Sequence, residues 1–186
     1  MRTSLLTAPW THLIVDDFLA DDVLANGVRD ISDGVYQFDI EARGSGRIEY
    51  ALLQSATLWR ALYSKEMIVL LWEAFGVRPQ LNKGNMLQLR RMNAATPAFP
   101  THSDYVAGEE TIAAFLYLSH GWDLARGGRL CLHATEAAAR PAAFVEPLRN
   151  RLVAFRTRRE HWHSVERVVG WERLSVLSMW DLARAD

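Results

Sequence analysis

The sequence predicts a mainly β fold with N-terminal helices: a barrel or jelly roll with the helices packed on one side. Two segments of helical period lie within the first 76 residues, and short β-compatible runs separated by turn residues fill the last hundred. One of those runs, Thr111 to Leu118, is apolar on both faces, as expected for a central strand covered on each side. At 186 residues the chain is long enough for one well-buried core and short for two domains, so 1–186 is read as one domain. Helical support is expected over about 15–76 and the strand core over about 84–181.

Along the chain, "VDDFLADDVLANGVRDI" carries Phe18, Leu19, Val23, Leu24, Val28 and Ile31 at helical spacing, with Asp21 or Asp22 available as cap. A second helical region, Ser55 to Phe75, presents Leu58, Leu62, Val69 and Trp72, with its aromatics expected in the core. Ser64 is placed to divide it and Gly76 to stop it. After Gly84 the strands begin: "NMLQLRRM", "TIAAFLYL", then "GGRLCLH" after a Gly127-Gly128 turn and "RLVAF" after Asn150. "HWHSVERVV" leads through Gly170 to "RLSVLSMW".

The composition, 49% hydrophobic and 23% charged, is that of an ordinary soluble globular protein. A net charge of -1 gives no general pull toward nucleic acid or anionic lipid, and "RTRRE" at Arg156–Glu160 reads as a solvated turn. The lone Cys131 excludes an intrachain disulfide framework and reads as a small buried hydrophobe. With no secretory h-region and no apolar run of membrane-spanning length, the cytoplasm is the expected compartment.

The chemistry begins at "THSDYV". In extended backbone, residues two apart point to one face, so His102 and Asp104 converge on a point that suits a metal ion, or else form a polar strand end. Two protein ligands are too few for tight binding, so a further donor is expected on a distant strand. His12 belongs to the N-terminal layer, His120 to a loop, and His133 to a surface or rim position. That leaves His161 and His163, which share one strand face, and periodicity does not choose between them. Downstream, Arg173, Ser175, Leu177 and Met179 share a face. A guanidinium turned into an apolar interior needs an anionic partner, and Arg173 with Ser175 forms a donor set suited to one carboxylate; the alternative is an arginine snorkelling at a barrel mouth.

"HSD" at His102–Asp104, "HSV" at His163–Val165 and "RLS" at Arg173–Ser175 together resemble the iron(II)- and 2-oxoglutarate-dependent dioxygenases. The likeness runs from about Leu87 to Trp180 and includes "FLYLSHGWDLARGGRLCLH" and "EPLRNRLVAF"; the opening "IVDDFLADDVL" is similar to the prolyl-hydroxylase-like branch. The resemblance implies a double-stranded β-helix, or jelly roll, with His102, Asp104 and His163 as iron ligands and His161 beside them. It also implies that Arg173 and Ser175 grip the distal carboxylate of 2-oxoglutarate and that Tyr117 helps bind this cosubstrate. Where that branch often has a tyrosine about ten residues before the first histidine, Met92 stands here, leaving Gln88 and Arg90 as open candidates for a cosubstrate or substrate contact.

The family's chemistry implies Fe(II), 2-oxoglutarate and O2, with ascorbate as a supporting reductant, and release of succinate and CO2 as a substrate carbon is oxidised. Asp104 argues for hydroxylation or another oxidation without halide incorporation, since halogenating members lack that carboxylate; desaturation and ring formation stay open, because they depend on where the substrate radical sits. Neutral imidazoles are needed for ligation, so iron affinity should fall at acid pH. A cupin-like metal enzyme that does not use 2-oxoglutarate and a non-catalytic jelly-roll sensor are the rival readings; the first leaves Arg173 and Ser175 without a role. Expected substrates are a small amino-acid-like metabolite or a peptidyl side chain, not nucleic acid or membrane. Arg90, Arg91, the "YVAGEE" loop at Tyr105–Glu110 and the "RGSGRIEY" loop at Arg43–Tyr50 are candidate substrate walls.

Overall fold

The computed structural model describes residues 1–81 and 85–182. Gly84, the expected start of the strand core, lies outside the described residues. The chain begins with β1 (Arg2–Leu6) and β2 (His12–Asp16), followed by α1 (Asp21–Asp33) and a hairpin of β3 (Asp39–Arg43) and β4 (Gly46–Leu53). Next come α2 (Ala56–Leu62), α3 (Lys65–Phe75), β5 (Pro79–Gln80), β6 (Leu87–Met92), β7 (Phe99–His102) and β8 (Thr111–Tyr117). The chain closes with β9 (Leu130–His133), β10 (Ala143–Val145), β11 (Leu152–Arg156), β12 (Trp162–Val165) and β13 (Arg173–Leu182).

These strands make two antiparallel sheets. The major sheet has nine strands, in the order β1-β2-β11-β8-β13-β6-β4-β3 with β5 paired to β13. The minor sheet has four, in the order β10-β9-β12-β7. With the helices against one face of the major sheet and the minor sheet against the other, the expected mainly β jelly roll with one-sided helical support is the observed fold.

The central strand β8 shows why the layers hold. Its Ile112, Ala114 and Leu116 join the core under the helices, while Ala113, Phe115 and Tyr117 join the core between the sheets. Each side chain of this run is therefore removed from water on one face or the other, which is why the run reads as continuously apolar.

The helices break as Ser64 suggests. Ser55 accepts the Leu58 N–H at 3.1 Å to cap α2, Ser64 accepts the Met67 N–H at 3.0 Å to cap α3, and Gly76 ends α3 in the left-handed region. The break restarts the helical phase. Leu58 and Leu62 face the core as expected, but Val69 and Trp72 are half exposed and Met67 with Leu71 takes the inner positions. Trp59 is also partly exposed, so only Tyr63 of this region's mid-segment aromatics is core.

Three other expectations are corrected. Asp21 and Asp22 do not cap α1; Ala20 stands at the cap and both carboxylates lie in the first turn, near the positive end of the helix dipole. Phe18 and Leu19 precede that helix, and the Asn150 side chain holds both backbone groups of Leu19, at 2.9 and 2.8 Å. Arg43–Tyr50 is not a loop, because Gly44 and Ser45 form a two-residue turn closing the β3–β4 hairpin, with Arg43 opposite Gly46. Among the described residues, no helix is long and apolar enough to cross a membrane.

Candidate metal centre and its pocket

His102 ends β7, and the adjacent β12 places His163 directly opposite it in register. Opposed residues of an antiparallel pair project to one side, so the two imidazoles meet with ring centroids 4.2 Å apart. Asp104 lies just past the end of β7, and its carboxylate turns back to both rings, 3.5 Å from His102 Nε2 and 3.4 Å from His163 Nε2. One ligand atom from each of the three residues lies within 4.8 Å of the others.

Backbone carbonyls orient both rings. His102 Nδ1 is 2.8 Å from the Pro100 carbonyl and His163 Nδ1 is 3.0 Å from that of His161. A carbonyl only accepts, so each Nδ1 carries a proton and each Nε2 is the ring atom turned toward Asp104. Burial pushes the Asp104 carboxyl upward, but the His163 and His102 imidazoles outweigh it and hold the group well below the usual carboxylate range. Two imidazole nitrogens and one ionised carboxylate on one side of a point are the donor set of a non-haem iron(II) site, so the residues present fit that metal.

Beside this triad the pocket is lined by Tyr117, Arg173 and Arg90, with Ile48, Phe115, Leu130 and Val165 as its apolar wall. Arg173 opens β13 and is only 4% exposed. It donates to the Gly128 carbonyl at 2.9 Å and to the Tyr117 hydroxyl at 3.2 Å, and its guanidinium lies over the Tyr117 ring at 4.8 Å. Both partners are uncharged. Ser175 sits between Tyr117 and Arg90 in register, and its Oγ is buried without a hydrogen-bond partner. A buried cation and an orphaned hydroxyl on one strand face define a place for an anion.

The remaining candidates separate. His161 does not join the triad: its Nδ1 is 2.6 Å from the Arg156 carbonyl, its ring stacks on Trp10 at 4.6 Å, and burial lowers its pKa. It serves the triad through the carbonyl that accepts from His163. His133 is not a surface or rim residue but buried, with Nε2 2.8 Å from the Ser164 hydroxyl. Met92, opposite Arg173, is wholly buried and apolar. Gln88 bonds to Arg90 at 3.4 Å, and Arg90 itself forms a 2.6 Å ion pair with Glu41 of the hairpin. Arg91 points the other way, to Glu49 at 2.6 Å and over the Phe38 ring.

Glu41 was not among the sequence candidates, and Arg43, which approaches Asp104 at 3.9 Å, was expected only as part of a loop. Their signal was the Gly44-Ser45 pair, a two-residue hairpin turn flanked by alternating polar and apolar residues.

A family model of the 2OG-Fe(II) oxygenase superfamily matches residues 87–180, a span containing the triad, Tyr117, Arg173 and Ser175. The fold is shared with a prolyl-4-hydroxylase from Pseudomonas putida, at 21% identity and a TM-score of 0.70, covering 93% of this chain and 92% of that one. It is shared also with a Trichoplax adhaerens prolyl hydroxylase solved with a hypoxia inducible factor peptide fragment, at 15% identity and a TM-score of 0.69, covering 92% and 83%. The epimerase SnoN from nogalamycin biosynthesis is similar at 15% identity and a TM-score of 0.66, covering 91% and 76%. No curated protein matches the chain by sequence.

Proposed function

Because the chain belongs to the 2OG-Fe(II) oxygenase superfamily, we propose that His102, Asp104 and His163 hold its iron and that Arg173, Ser175 and Tyr117 hold its cosubstrate. The protein is an Fe(II)- and 2-oxoglutarate-dependent oxygenase. The observation that carries the residue assignment is the meeting of three donors within 4.8 Å, next to a pocket whose one deeply buried cation is Arg173.

When bound, iron(II) with 2-oxoglutarate and O2 supplies the oxidising chemistry that yields succinate, CO2 and an oxidised substrate. The chain supplies the rest. His102 and His163 present Nε2 to the metal position because their Nδ1–H groups donate to the Pro100 and His161 carbonyls. Asp104 stays ionised at neutral pH and contributes charge as well as an oxygen. Arg173, prevented by the Gly128 carbonyl and Tyr117 hydroxyl from reaching solvent, offers its fork to the distal carboxylate; the free Ser175 hydroxyl completes that grip. Ile48, Phe115, Leu130 and Val165 exclude water from the reacting end.

Substrate is a small amino-acid-like metabolite or a peptidyl side chain, hydroxylated at carbon, and 1–186 acts as one domain. The test supplies Fe(II), ascorbate and 2-oxoglutarate and measures succinate. Slow release without added substrate is expected, and it should be lost in His102→Ala, Asp104→Ala and His163→Ala. Arg173→Ala should raise the 2-oxoglutarate requirement while sparing metal binding. Unchanged iron and cosubstrate binding in that variant would remove Arg173 from the clamp.

A further inference from the structure

This pocket is lined by more positive charge than the cosubstrate clamp requires. Arg90 and Arg91 are neighbours on β6 with opposite directions: Arg91 is satisfied outside by Glu49 and Phe38, whereas Arg90 lines the pocket beside the triad. Register explains the inward aim, since Arg90 stands directly opposite Ser175, which in turn faces Tyr117 across β13 and β8. An arginine that only braced the sheet would have no reason to point there, where desolvation is costly.

Glu41 holds Arg90 at 2.6 Å and also accepts from Arg43 at 3.3 Å, so two guanidinium groups share one carboxylate. Arg43 also approaches Asp104 at 3.9 Å, which is too long for a hydrogen bond. Two guanidinium groups against the one Glu41 carboxylate leave one excess positive charge at the pocket wall that Arg90 lines. Bonds to Gln88 and Glu41 use two of the five N–H groups that a guanidinium offers, leaving a planar fork suited to a planar anion. A single excess charge beside an apolar wall matches a monoanion better than a phosphate.

We infer that Arg90, poised by Glu41 and assisted by Arg43, binds a carboxylate of the substrate, so that the substrate class is a small free carboxylic acid of the amino-acid type. This rests on the oxygenase reading of the same site. It selects the metabolite over the peptidyl side chain, because a residue inside a peptide has no free main-chain carboxylate.

The test uses the full chain with Fe(II), ascorbate and 2-oxoglutarate, and compares the free L-amino acids with their carboxamides as stimulators of succinate release. At least one acid should stimulate, and its amide should be weaker by about ten- to a hundredfold in kcat/KM, the range of a charge-assisted hydrogen bond. In Arg90→Gln that acid-to-amide ratio should fall toward one; Arg90→Lys should restore part of it. Amides equal to acids in the wild-type protein, or a ratio unchanged in Arg90→Gln, overturns the inference. Stimulation by no acid, in a protein that still releases succinate alone, overturns it too and leaves the oxygenase reading standing; no succinate under any condition removes both.

Discussion

His161 and His163 lie two residues apart, yet their rings have different neighbours. Alternation puts both on one face, and the cross-strand partner separates them: His163 pairs with His102, while His161 precedes β12 and turns to Trp10 and the Arg156 carbonyl. His163→Ala should abolish iron retention and turnover, since it deletes one of three donors. His161→Ala removes a stacked, buried ring and should lower stability by about 1–3 kcal/mol while the iron content of the loaded protein persists. Metal analysis beside thermal unfolding distinguishes the two; an iron-retaining His163→Ala with an iron-free His161→Ala would exchange the roles. This choice was not legible from periodicity, because a period of two is blind to which strand lies alongside. Asp104 shows the complementary case: two-residue spacing predicted its convergence with His102, although Asp104 itself lies past the end of the strand.

Elements meet through a few ion clusters and tight turns. Arg151, just before β11 and largely buried, donates to Asp16 at the end of β2 at 2.6 Å and to Glu146 at 2.8 Å. The hydrogen bond from Arg151 is the main cause that holds the Asp16 carboxyl below its ordinary value, with burial opposing it. A depressed folded pKa means the stabilisation is present above the ordinary carboxylate range and is lost as pH falls through the folded value. Asp16→Asn should therefore cost about 2–3 kcal/mol near neutrality, and the difference from wild type should shrink as pH drops below about 4. A pH series of denaturant midpoints checks this; a difference that holds at acid pH would show the loss comes from packing instead. The Gly127-Gly128 turn has a similar joining role. A Cβ at Gly127 would lie 2.3 Å from the Arg167 carbonyl oxygen at a positive φ, so Gly127→Ala should destabilise by about 1–3 kcal/mol in the same measurement. Such turns were legible because glycine pairs mark them. The β3–β4 hairpin was missed because its Gly-Ser-Gly composition looks like a loop, whereas the alternation after it belongs to a strand. Val69 and Trp72 were misplaced because one helical phase was carried across Ser64, where the cap resets it.

At the scale of the whole molecule, function depends on two sheets meeting at a fixed distance. The histidines belong to the minor sheet, through β7 and β12, while Arg173, Ser175 and Tyr117 belong to the major sheet, through β13 and β8. The layers themselves were readable from β8, whose two-sided apolar run announces cover on both faces, but the order of nine strands was not, since no local signal fixes long-range partners. On the proposed assignment, a dicarboxylic acid held by the triad at one end and Arg173 at the other ties the sheets together and stabilises only the folded state. With redox-inert Mn(II) in place of iron, 2-oxoglutarate at about a hundred times its Kd should add about 2.7 kcal/mol, which for a chain of this length is a rise of roughly 5–10 °C in Tm. Succinate, which keeps the distal carboxylate but lacks the keto group, should give a smaller rise. In Arg173→Ala the manganese shift should persist and the further 2-oxoglutarate shift should largely vanish, because the anion then has no deep partner. A full cosubstrate shift in that variant would mean that the sheets are bridged through another cation, and Arg90, opposite Ser175 on the same face, would be the one to test next.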